Sequence, residues 1–211
     1  KSCFPDFILQ CASALDWIKG NADKYNLDLD NIMVSGDSAG AYIAAYLGLL
    51  QSNQEIRSRL NFTELPLKIK ALLLYCGPYQ VDELLTKKVM LNLQTEIGAA
   101  FLKADKADFK QIERLANHRY RDIINISPFV GKGFPLSFLT YAKNDFLCPG
   151  QGEPFIKLLQ ENNIPHRYHF GGKLNDLHCY HLFRMNRSGR EAMKMTKEFI
   201  ADVVNNELFV P

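Results

Sequence analysis

Ile32-Met33-Val34-Ser35-Gly36-Asp37-Ser38-Ala39-Gly40, running on through Ala41 to Leu50, is the stretch on which the fold turns. Ile32 to Ser35 is a short, continuous apolar run of strand length, and it reads as a strand buried on both faces of a sheet. Ala41 to Leu50 is apolar throughout and reads as a buried helix. Between them stands Gly-x-Ser-x-Gly. So short a pattern arises by chance in about 5% of chains of this length, so its flanks carry the reading. Strand, tight turn and helix together are the setting in which a serine is held up as a nucleophile. The turn is strained, so side chains must be absent where strand and helix crowd, and Gly36 and Gly40 are expected to supply that absence. The start of the helix aims free N–H groups at the anion that forms during acyl transfer, and Ala39 N–H is the expected oxyanion donor. An ordinary Gly/Ser turn before a helix is the plainer alternative.

Outward from this point, the pattern alternates. Upstream, Pro5-Asp6 opens a helix with Phe7, Cys11, Leu15 and Ile18 on one face, and Gly20 and the polar 26–31 stretch end it. Downstream, strands are expected at Ile69–Tyr75, Leu136–Ala142 and His166–Phe170, and helices at Glu153–Asn162 and Arg190–Val204. Strands separated by helical stretches predict an α/β fold with a mainly parallel sheet in a single domain. Residues 82–126 carry helical sequence without a strand signal, too much for a plain crossover. An inserted helical cap over the sheet's C-terminal edge is expected there.

Gly36-Asp37-Ser38-Ala39-Gly40, preceded by Ala14-Leu15-Asp16-Trp17-Ile18, resembles the nucleophile region of the hormone-sensitive-lipase group of α/β-hydrolases. Ser127-Pro128, Phe134-Pro135-Leu136 and then Lys143-Asn144-Asp145 are similar to that group's acid-bearing strand end, and His178-Cys179-Tyr180 to its His-x-aromatic motif. The resemblance spans nearly the whole chain and implies a partial α/β-hydrolase fold. It implies a serine carboxylic-ester hydrolase acting on short to medium acyl esters, with the triad Ser38, Asp145 and His178. His178 would take the Ser38 proton, and Asp145 would hold the imidazole's tautomer and stabilise its cation. His181 opens a second His-x-aromatic triplet and is the alternative base. A catalytically inactive small-molecule receptor on the same fold is the alternative function, and an amidase shares the same triad. The group's upstream His-Gly-Gly-Gly-type loop has no counterpart here: only Gly20 and Gly36 precede Ser38. The chain is therefore read as the C-terminal portion of a larger esterase, with the strand at Ile32–Ser35 left on an open edge.

Composition narrows the remaining classes. The chain has 211 residues, 47% hydrophobic and 23% charged, enough for a core and too balanced for disorder. A net charge of +2 excludes a strongly basic nucleic-acid surface. The apolar run at 39–50 is shorter than the roughly 20 residues that span a bilayer, so no membrane span is expected. No basic start followed by an apolar core marks the chain for export, which favours a cytoplasmic location. Asn61, Asn125 and Asn186 head glycosylation sequons that permit a lumenal one. Five cysteines without ligand spacing read as free, mostly buried thiols, and Cys148 and Cys179 as neighbours of the acid and base by chance. No phosphate loop and no His/Cys/Asp spacing implies a cofactor or metal. The expected partner is a small-molecule ester. His118 is expected to be structural, and His166 and His169 to lie on opposite faces of one strand.

Overall fold

The computed structural model describes residues 2–86, 93–103 and 118–207. Along the chain come α1 (Asp6–Gly20), α2 (Ala22–Tyr25), β1 (Met33–Asp37), α3 (Ala39–Ser52), α4 (Gln54–Arg59) and β2 (Ala71–Tyr75). They are followed by α5 (Val81–Thr86), α6 (Leu93–Leu102), β3 (Leu136–Ala142), α7 (Gly152–Glu161), β4 (His166–Gly171) and α8 (Arg187–Asn205). The described strands form one sheet in the order β1-β2-β3-β4, parallel at every pairing.

β2 shows how the sequence builds three layers. Its residues alternate between two cores, as the two-residue period of a strand demands. Leu72 and Leu74 face a core with Ile8 of α1, Ala45 and Leu49 of α3, and Phe155 and Leu159 of α7. Ala71, Leu73 and Tyr75 face the other way, onto Phe138 of β3 and Phe199 and Val203 of α8. With both faces covered, β2 is buried at every position. β1 is not: only partly buried, with Ser35 and Asp37 exposed, it corrects the expectation of a strand covered on both faces. It is an edge of the described sheet, so its outer flank lacks a neighbour. The strand also runs two residues further than the apolar run suggested, because parallel pairing with β2 continues to Asp37 opposite Tyr75.

The buried stripe of α1 is centred on Ile8, Ala12 and Leu15, with Phe7, Cys11 and Ile18 packed at its margins. The expected face was thus one margin of a wider stripe, as a helix lying on a sheet requires. Within 82–126 the described residues hold α5, α6 and a 3-10 turn at Arg121–Ile123, and no strand. Residues 87–92 and 104–117 of that stretch lie outside the described residues. The segment's end is tied to α3: Tyr42 and Tyr46 hydroxyls donate to the Ile124 and Ile123 carbonyls at 2.8 and 2.9 Å. Among the described residues no helix is long and apolar enough to cross a membrane. The Asn186 sequon is spoken for structurally. Its side-chain oxygen caps α8 through the Ser188 and Gly189 N–H groups, its amide donates to Asp176, and the residue is 7% exposed.

Candidate active site

Parallel register aligns the strand ends: Asp37 lies opposite Tyr75, and Tyr75 opposite Thr140. The residues that follow β1, β2 and β3 therefore meet at one end of the sheet, the end at which open α/β sheets bind ligands.

Ser38 sits between β1 and α3 at φ 53° and ψ −117°, a backbone conformation that a residue with a side chain adopts only when its surroundings force it. They do so from both sides. Ser38 N–H donates to Tyr75 C=O at 2.8 Å, and Ser38 C=O accepts from the Ala41 and Tyr42 N–H groups at 3.0 and 3.2 Å. Ala39 opens α3, and the first N–H groups of a helix have no partner within it.

The two motif glycines have different roles. A Cβ on Gly36 would lie 2.2 Å from both the carbonyl carbon and oxygen of Gly40, where neither side is a flexible side-chain end that can give way. A Cβ on Gly40 would meet nothing within 4 Å. Only Gly36 is required by the crowding, which corrects the expectation for Gly40. Gly36→Ala is expected to cost at least about 3 kcal/mol, whereas Gly40→Ala, inside a helix, should be neutral or stabilise by up to about 1 kcal/mol. Denaturant melts of both variants check the contrast; equal losses would refute it.

Asp145 and His178 are brought together after β3 and β4. His178 Nδ1 lies 2.8 and 2.9 Å from the two Asp145 carboxylate oxygens. Asp145 Oδ1 also accepts from the Leu147 and Cys148 N–H groups at 3.0 and 2.8 Å, so the loop fixes the carboxylate before it meets the ring. Both side chains are nearly enclosed, at 9% exposure for His178 and 4% for Asp145. Burial works to lower the His178 pKa, but the hydrogen bond and charge of Asp145 outweigh it, and the net pKa lies above the ordinary 6.5. His178 Nε2 is buried and has no partner among the described residues. Ser38 is not bonded to it among the described residues, and burial and the Asp145 charge drive the pKa of the nearby Cys148 thiol upward. Catalytic hydrogen bonds are often loose in an unliganded site.

His181 is held elsewhere. Its Nε2 is 2.5 Å from Asp37 Oδ1, and its ring stacks on Tyr75 at 4.2 Å between centroids. Burial lowers its pKa more than Asp37 raises it. Asp37, the x of the motif, thus anchors the loop that carries His178 to the strand that leads into Ser38. Sequence reasoning missed this contact. Of the other histidines, His169 Nδ1 pairs with the Tyr180 hydroxyl at 2.6 Å and His166 Nδ1 with Ile164 C=O at 2.7 Å. His118 Nδ1 accepts from Tyr120 N–H at 3.4 Å.

Beside Ser38 opens a cavity of about 390 Å³. Its wall includes Ala39 and Tyr42 of α3, Val81 and Leu84 of α5, and Ile97 and Phe101 of α6, and it is almost wholly apolar.

A parallel sheet between helical layers, with a serine at a strained strand-to-helix turn and an Asp–His pair at the same end, defines an α/β-hydrolase. The BD-FAE family model matches residues 1–130, and the chain belongs to that family. It is 24% identical over 164 residues to LipM of Mycobacterium tuberculosis, a probable carboxylic ester hydrolase by name, covering 76% of this chain and 35% of that protein. It is 25% identical over 170 residues to an arylesterase of Saccharolobus solfataricus, covering 77% and 49%. The chain thus spans less than half the length of these curated relatives. Among solved structures, esterase B of Lactobacillus rhamnosis superposes with a TM-score of 0.73 at 17% identity, over 95% of this chain and 62% of that one. The carboxylesterase Cest-2923 of Lactobacillus plantarum does so with 0.70 at 16%, over 100% and 71%.

Proposed function

We propose that this chain carries the nucleophile, base and acid of a serine carboxylic-ester hydrolase. The observation that carries the reading is one imidazole with Nδ1 on a fixed carboxylate and Nε2 buried and unpartnered among the described residues, at the sheet end where Ser38 opens onto an apolar cavity. In this reading Nε2 takes the Ser38 proton as the hydroxyl oxygen attacks the ester carbonyl, and Ala39 N–H stabilises the tetrahedral oxyanion. The protonated ring then gives its proton to the departing alcohol. Water repeats the sequence on the acyl-enzyme, releasing the acid. The names of the arylesterase and esterase relatives support this class, and Gly-Asp-Ser-Ala-Gly supports kinship with the hormone-sensitive-lipase group. That α5 and α6 wall the cavity supports the reading of residues 82–126 as a cap.

The cavity selects the substrate. Its apolar wall favours an acyl chain of short to medium length over a charged or sugar-like one, because each buried methylene contributes about 0.8 kcal/mol. Two measurements on the full-length protein test this. A phosphonate ester should label Ser38 alone, located by peptide mass spectrometry. Nitrophenyl butyrate should give a kcat/KM about tenfold or more above that of the acetate, as two further buried methylenes predict. No labelling at Ser38 would favour the receptor reading, and a preference for acetate would overturn the cavity's assignment.

A further inference from the structure

Two cysteines that the proposed chemistry does not use converge on its base. Cys76 directly follows β2 and Cys179 directly follows His178, and both hold left-handed backbones, at φ 50° and 54°. They are 2% and 7% exposed. Cys76 Sγ, Cys179 Sγ and a ring nitrogen of His178 all lie within 4.8 Å of one another. No ligand spacing betrays this group in the sequence, because Cys76 reaches it only through the parallel alignment of β2 with β3.

We propose that Cys76, Cys179 and His178 form an inhibitory binding site for a soft divalent cation of the zinc class. Two sulfurs and an imidazole are the donor set that favours zinc and cadmium over calcium or magnesium. Metal–sulfur bonds of about 2.3 Å and metal–nitrogen bonds of about 2.0–2.1 Å hold such donors about 3.5–3.8 Å apart. The present spacing, up to 4.8 Å, needs to close by at most about 1.3 Å, which rotation of the two cysteine side chains provides. The imidazole is prepared as metal-binding histidines usually are, with its Nδ1 held by a carboxylate. Its Nε2, buried and without a partner among the described residues, is the nitrogen left to bind the ion. On binding, the thiol protons pass to solvent and two thiolate–metal bonds form, with no change of oxidation state. An ion on Nε2 occupies the lone pair that would take the serine proton. The inhibitory half of the proposal therefore rests on the proposed function, whereas the binding half does not.

The test reads the two halves separately on the full-length, reduced protein. Cadmium chloride should produce a saturable ultraviolet thiolate-to-cadmium band at one ion per chain. That band should be lost in Cys76→Ser and in Cys179→Ser and retained in Cys148→Ser. Asp145→Asn should weaken binding by about 10–100-fold, since it removes the group that orients the ring. Zinc should abolish hydrolysis of nitrophenyl butyrate, a chelator should restore it, and Cys76→Ser should hydrolyse the ester at the parent rate whether or not zinc is present. A band that survives both cysteine variants, or that vanishes only with Cys148, overturns the site. A cysteine-dependent band with undiminished hydrolysis overturns the inhibitory role and counts against His178 as the base. Should a variant not fold, X-ray absorption of the zinc-loaded wild type decides: two sulfurs in the first shell are expected, and a shell without sulfur overturns the site.

Discussion

Ser38→Ala in the full-length protein is expected to lower kcat on short acyl esters by about 10⁴–10⁶-fold, with KM little changed. The size of the loss follows from what the hydroxyl does. Without it no acyl-enzyme forms, and the remaining groups can only polarise the ester for direct attack by water. The same replacement should leave stability within about 1 kcal/mol of the parent. Alanine meets the same positive-φ demand as serine at this position, and the backbone bonds that pin the turn, to Tyr75, Ala41 and Tyr42, involve no side-chain atom. Steady-state kinetics and a thermal melt on one preparation check both parts. A variant that keeps its rate removes the serine-hydrolase reading. One that loses rate and melting point together shows that the hydroxyl holds the turn and leaves the kinetic loss uninterpretable as chemistry.

Much of this geometry was legible in the sequence because it is local. The strand at Leu136–Ala142 has the bounds its apolar run suggested, and α7 and α8 each begin within a few residues of expectation, since burial periodicity is written residue by residue. Gly36 was legible for the same reason: the turn it permits spans four residues. The pairing of Asp145 with His178 was implied by the resemblance of their motifs to the hormone-sensitive-lipase group, not by periodicity. What stayed hidden depends on register between distant strands. Asp37 and His181 stand 144 residues apart, and Cys76 and Cys179 are separated by two strands; only the alignment of the strand ends makes them neighbours. The exposure of β1 was hidden differently. An apolar run does not say which positions stay uncovered, and Ser35 and Asp37 are exposed, whereas the open edge expected for Ile32–Ser35 is where the described sheet places β1.

Asp145→Asn should lower kcat by about 10⁴-fold while keeping the fold, and it should move the acid limb of the pH profile in a defined direction. The hydrogen bonds around the carboxylate dictate how the amide will sit. Oδ1 accepts from both Leu147 and Cys148 N–H groups, so the asparagine oxygen is retained there and its NH₂ takes the place of Oδ2, 2.9 Å from His178 Nδ1. An NH₂ group donates; Nδ1 must then accept, and the ring's proton is forced onto Nε2. That is the nitrogen that has to receive the serine proton, so the variant holds the wrong tautomer in an otherwise intact site. The pH dependence has an independent sign. In the parent, Asp145 outweighs burial and lifts the His178 pKa above 6.5. Neutral imidazole is the working form, so kcat/KM should fall as pH drops through a midpoint above 6.5. Removing the charge leaves burial, which lowers the pKa, so the residual activity of the variant should persist to lower pH than that of the parent. Rate profiles between pH 5 and pH 8 measure both effects together. An acid limb that stays in place would mean that Asp145 does not set the protonation of the base, and a rate loss under tenfold would mean that the tautomer of His178 is governed by some other group.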